Sequence, residues 1–178
     1  MLLNTPSLTS ELNRRGTLLG LSSLTLGSLL AVAAKADSTA NTAPDAYIPN
    51  TLKIGMFSLE ISHMAKTKAA SDRVRQFAVL EEDEQAAVGS ILLPIIKHAP
   101  KRPENLEKTF QELEKMQSGP AFDQLYIETE IAGHQALLPI QRPEAKQPSS
   151  TPQAASARIL VAFIHSHLYM LAQIKKSL

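Results

Sequence analysis

Cysteine and tryptophan are both absent from the 178 residues. Without thiols there can be no disulfide, thiolate metal site, cysteine nucleophile or cysteine-linked lipid, although the compartment is left open. Aromatic residues make up only 4%, too few for a platform on which bases would stack. An excess of charge of either sign is missing as well: 18 Lys and Arg stand against 17 Asp and Glu, a net of +1. That removes the electrostatic footprint expected of a partner for nucleic acid or for an anionic membrane surface. Nowhere do β-branched residues alternate with polar ones in period two, so no sheet is expected. The Gly-x-Ser-x-Gly elbow, the phosphate loop and the His-Glu-x-x-His pair are missing too, which weighs against an enzyme.

What is present suffices for one domain, since 44% of the residues are hydrophobic and the length suits a single core. Residues 1–36 read as an export signal. Arg14-Arg15 forms the positive region, Leu18 to Ala34 the apolar region, and Ala34-Lys35-Ala36 a small-x-small cleavage site. The run Asn13-Arg-Arg-Gly-Thr-Leu-Leu19 is similar to a bacterial twin-arginine signal, with Thr17 in place of the usual aromatic. Cleavage near Ala36 would remove Arg14, Arg15, Lys35 and Glu11, leaving 15 basic and 16 acidic residues and no membrane span in the mature chain. A periplasmic or otherwise exported location is expected. Residues 37–50, rich in Ala, Ser, Thr, Asn and Pro, read as a flexible lead-in, and the domain as 51–178.

Within that domain the apolar residues recur at three- and four-residue steps. Ile54, Phe57, Ile61, Met64 and Lys68 outline a first helix from Leu52 to Ala70, with Glu60 beside the stripe. Ser71-Asp72 caps a second, along which Val74, Phe77, Glu81, Glu84, Val88, Ile91 and Ile95 keep the spacing until Pro94 kinks or ends it. A shorter piece covers Glu104 to Met116. Gly119-Pro120 opens the helix that organises the chain, with proline where its missing N–H costs nothing. It carries Phe122, Tyr126, Ile127, Ile131, His134 and Leu138 on one face and is expected to stop at Pro139 and Pro143. Thr151-Pro152 begins the last helix, whose seam holds Ile159, Leu160, Phe163, His167, Met170, Leu171 and Ile174. The fold class is therefore all-α: an antiparallel four-helix bundle with a short extra helix between the second and third long ones.

Each seam carries a group able to bind a proton or a metal ion. These are Glu60 on the first helix, Glu84 with Glu81 on the second, His134 with Glu130 on the third and His167 on the fourth. An unpaired buried carboxylate costs several kcal/mol, so these groups should meet one another or an ion. Two readings follow: a satisfied polar cluster in a non-enzymatic bundle, or a site for a single Fe, Mn or Zn ion held by Glu60, Glu84, His134 and His167. In the second, Glu130, Tyr126 and Glu81 stand behind the ligands, Glu130 orienting an imidazole and Tyr126 bonding a buried carboxylate. His63, His98 and His165 are expected outside the core. Asp123 reads as a first-turn residue favoured by the helix dipole.

Glu60-Ile61, Arg73-Val-Arg-Gln-Phe-Ala78, Gly119-Pro-Ala-Phe-Asp123 with Tyr126, His134-Gln135 and His167-Leu168 together resemble the exported bacterial ferritin-like proteins of unknown function. The likeness runs from about Ile54 to Ile174. It implies a ferritin-like four-helix fold and an extracytoplasmic location, and it implies no established reaction. Any protein partner of an exported chain is expected in the cell envelope. Where that family usually has Asp-His on the second helix, this chain has Glu84-Gln85. Only Glu60-Ile-Ser-His63 has Glu-x-x-His spacing, so the six-ligand set of a di-iron carboxylate protein is incomplete.

Overall fold

The computed structural model describes residues 46–147 and 151–178, all within the compact unit Asn41–Leu178. The export signal, the lead-in up to residue 45 and residues 148–150 lie outside the described residues. The described residues form five α-helices and no strand: α1 (Tyr47–Lys68), α2 (Asp72–Leu92), α3 (Glu104–Lys115), α4 (Pro120–Ala145) and α5 (Pro152–Ser177).

Helix α1 starts at Tyr47 rather than near Leu52, so the end of the segment read as lead-in is helical. Pro49 sits in the first turn, where the helix does not need its N–H, and Tyr47 and Ile48 are buried. Pro94 ends α2 in a 3₁₀ turn over Leu93–Ile95, as its missing N–H requires. The opposite happens in α4, which runs through Pro139 and Pro143 to Ala145 instead of stopping. Buried Gln141 anchors that continuation: it accepts a hydrogen bond from Tyr47 Oη (2.8 Å) and donates one to Thr51 Oγ1 (2.8 Å). Tertiary contacts here outweigh the local cost of proline.

Pairwise contacts give the directions. Ser58 meets Glu81 while Gly55 meets Gln85, so α1 and α2 are antiparallel. Tyr47 with Gln141 and Ser62 with Tyr126 set α1 antiparallel to α4. His134 with His167 and Glu128 with Lys175 do the same for α4 and α5. Helices α2 and α5 meet more sparsely, through Glu81, Glu84 and His167. Asp123, buried in the first turn of α4, accepts the backbone N–H of Ala70 (2.9 Å) and of Ser71 (2.7 Å). It ties down the α1 to α2 connection and does not serve α4 alone. Helix α5 is long and apolar enough to cross a membrane by length and composition. One of its faces, from Ala154 to Ile174, is buried in the protein.

The buried apolar residues fall into two groups. One gathers Phe57, Ile61, Phe77, Phe122, Tyr126 and Leu171; the other Leu52, Leu92, Leu137, Leu160 and Ile164. Along α2, α4 and α5 the buried residues between the two groups are polar, Glu81 and Gln85, Glu130 and His134, and His167, and α1 adds Ser58 beside Phe57. A layer of polar side chains thus divides the core. Burial without partners would cost several kcal/mol per charged group, so the arrangement within the layer decides what it can do.

A buried Glu-His-His cluster

Glu81 is at the centre, fully buried. Its Oε1 accepts hydrogen bonds from Ser58 Oγ (2.7 Å) and Gln85 Nε2 (2.9 Å). Gln85 fits because Gly55 faces it: a Cβ at position 55 would stand 2.5 Å from Gln85 Oε1. The other oxygen, Oε2, lies 3.0 Å from His167 Nδ1 and 3.4 Å from His134 Nε2. Among the described residues it is the buried side-chain polar atom that receives no hydrogen bond. The two imidazole nitrogens are 3.0 Å from each other.

An outer nitrogen fixes the tautomer of His134. His134 Nδ1 lies 2.8 Å from the Glu130 carbonyl oxygen, which can only accept, so Nδ1 carries the proton. Neutral His134 therefore turns the lone pair of Nε2 inward, toward His167 Nδ1 and Glu81 Oε2. His167 stands between two carboxylates, its Nε2 3.0 Å from Glu84 Oε2 and its Nδ1 3.0 Å from Glu81 Oε2, so either ring nitrogen can carry the proton. Three such atoms this close need a positive centre among them, either a ring proton or a metal ion. A proton on His134 Nε2 faces His167 Nδ1 at 3.0 Å, and one on His167 Nδ1 faces Glu81 Oε2 at 3.0 Å. Metal-ligating histidines show the same arrangement, with the far N–H held by a carbonyl or carboxylate.

Charge follows from these contacts. Burial disfavours ionised Glu81, yet His134 and His167 outweigh it and hold the carboxyl below the usual range. Burial likewise opposes charge on His134, but the nearby Glu81 carboxylate wins and raises it to about 9. Glu130 goes the other way: burial, then the charge of Glu81, push it to about 8. Stereochemistry agrees. Ser58 Oγ has one proton, yet Glu81 Oε1 and both Glu130 oxygens lie 2.7–2.9 Å away, so a proton on Glu130 is needed to complete the set. Ser62 Oγ also reaches Glu130 Oε1 (3.3 Å) and bonds Tyr126 Oη (2.8 Å). Burial, then Glu130, raises Tyr126 well above an ordinary phenol.

The three inward atoms match a tetrahedral ion. Bonds of about 2.0–2.1 Å place neighbouring ligand atoms about 3.3 Å apart, against 3.0, 3.0 and 3.4 Å here. The three residues are the group of His and carboxylate side chains able to hold a metal among the described residues. Of the residues singled out from the sequence, His134 and His167 come together and Glu84 stands behind His167. Glu81, expected behind the ligands, takes the inner place. Glu60 is not brought to the cluster: its carboxylate pairs with Arg102, which also bonds Glu107 (2.8 Å). It lines a groove of about 550 Å³ between α1 and α3 that includes His63 and Phe110 and none of the cluster. Tyr126 reaches the carboxylates only through Ser62. His63 is exposed and bonded to Glu82 (2.8 Å).

Ser58, Ser62 and Gln85 escaped the reading of the sequence. The signal for the serines was there: two hydroxyls at i,i+4 beside Phe57 and Ile61 can share a buried face. Gln85 was noted only as a replaced ligand.

Fold and site together define an all-helical protein with a buried Glu-His-His cluster between two apolar half-cores. Residues 30–174 match the family described as Domain of unknown function (DUF4142). Most of the chain is covered, and it belongs to that family. No curated protein and no solved structure matches it.

Proposed function

We propose that this chain is an exported metal-binding protein of the bacterial cell envelope, not an enzyme, and that it holds one Fe, Mn or Zn ion between Glu81, His134 and His167. The observation that carries the reading is the convergence of two buried imidazoles on one buried carboxylate oxygen, three ligand atoms 3.0–3.4 Å apart. Two nitrogens and an oxygen suit these borderline metals, with no thiolate to favour copper(I). The four long helices form, in this reading, an antiparallel ferritin-like bundle whose polar layer is the site. Export is supported by the twin-arginine-like segment, a route suited to a chain folded around its ion before transport. Storage, scavenging or envelope stress are the processes such a site would serve.

The test is elemental analysis of the protein purified without a metal-affinity column, beside His134→Ala/His167→Ala. About one equivalent of Fe, Mn or Zn in the parent and none in the variant is expected. No metal in the parent, with the same melting temperature in chelator and in added metal, would leave a purely structural polar cluster.

A further inference from the structure

Three sides of the cluster are sealed. Ser58 and Glu130 close it toward α1 and α4, and Phe77 lies against both rings, with centroids 6.3 Å from His134 and 5.3 Å from His167. All three residues are buried. The fourth side is the sparsely packed seam between α2 and α5, and both groups that cover His167 there are partly open to water. Glu84, its side chain 26% exposed, lies 3.0 Å from Nε2; Phe163, 37% exposed, stacks on the ring face at 6.2 Å. From Ile159 to Ile174, α5 carries no Asp, Glu, Lys or Arg, so Glu84 is the charged group at this opening that touches the cluster.

We propose that metal ions enter and leave through this seam, with Phe163 as the cover and Glu84 as the carboxylate that first receives the cation. The inference rests on the metal reading above. A hydrated divalent ion cannot cross the apolar half-cores without losing water to no replacement. At the seam Glu84 supplies an anionic oxygen at the surface, one imidazole away from the inner ligands. Phe163 only needs to change rotamer, because its ring is held on one side by His167 and on the other by solvent. A residue that covers the path without touching the ion should alter both directions of exchange equally. One that attracts the ion should alter loading.

The experiment follows cobalt(II) by its visible absorption, in loading of the metal-free full chain and in stripping by EDTA. Phe163→Ala is expected to speed loading and stripping alike by about tenfold while the Kd stays within about twofold. Phe163→Leu, which keeps apolar bulk, gives a smaller change of the same sign and guards against a poorly folded alanine variant. Glu84→Gln keeps an acceptor for Nε2–H and is expected to slow loading. Tyr169→Ala, exposed on the same helix, should change neither rate. Rates unmoved by Phe163→Ala and Phe163→Leu, or unslowed loading in Glu84→Gln, overturn the route while the metal site stands. A parent chain that takes up no cobalt, zinc, iron or manganese overturns the metal reading and this inference with it.

Discussion

Glu81→Gln is the substitution that separates the charge of the cluster from its shape. The amide oxygen can take the place of Oε1 and keep the bonds from Ser58 and Gln85. Its NH₂ then stands where Oε2 was, 3.0 and 3.4 Å from the two imidazole nitrogens, and can donate to the lone pair of neutral His134. The orphaned acceptor disappears and so does the anionic ligand. His134 loses the partner that overcame its burial, so its pKa should drop from about 9 to the ordinary 6.5 or below. At about 1.4 kcal/mol per unit this is a loss of roughly 3 kcal/mol of attraction, partly offset by the newly bonded amide. In the parent the raised pKa of His134 adds stability below pH 6.5 that is lost as pH rises through about 9. In Glu81→Gln that part of the slope should vanish. Imidazole NMR titration of the metal-free protein, with denaturant melts across the same range, measures both quantities. His134 still titrating near 9, or a full equivalent of metal in the variant, would refute the argument.

Glu60→Ala should leave metal content unchanged and cost less than about 1 kcal/mol, because Glu60 belongs to a partly exposed ion pair with Arg102; elemental analysis and a melt decide it. Gly55→Ala gains about 1 kcal/mol of helix propensity but displaces buried Gln85, whose bond to Glu81 is of the charged kind worth about 1.5–3 kcal/mol. The net expectation is destabilisation of about 1 kcal/mol, read by urea unfolding. Glu130 is raised from 4.5 to about 8, so in the metal-free chain its burial contributes stability that is lost as pH rises between those values. Glu130→Gln should therefore gain on the parent by on the order of 3 kcal/mol near pH 8 and lose the advantage toward pH 4.5, a crossing that melts at the two pH values will show or deny.

Much of the helix pattern was legible in the residues. Glycine or threonine before proline marked the starts of α4 and α5, and three-four spacing found the long helices because burial of one face repeats with the helical turn. The errors cluster where neighbours override local preference. Pro139 and Pro143 were read as stops, yet Gln141 is held by Tyr47 and Thr51 across the core. Spacing puts Ile91, Ile95, Ile159 and Phe163 in the seams, but the sparse α2 to α5 contact leaves Ile91, Ile159 and Phe163 exposed, and Ile95 falls in the exposed 3₁₀ turn after α2.

Composition and periodicity by themselves determined an all-helical chain with carboxylates and imidazoles on its apolar stripes, and placed His134 and His167 inside. Only the tertiary structure decided which carboxylate joins them. Residues three apart on a helix differ by about 60° around its axis, so Glu81 and Glu84 both satisfy the pattern of α2. The packing of α1 and α5 against that helix breaks the tie: Ser58 and Gln85 fasten Glu81 within the core, while the open seam leaves Glu84 at its edge, holding His167 from outside.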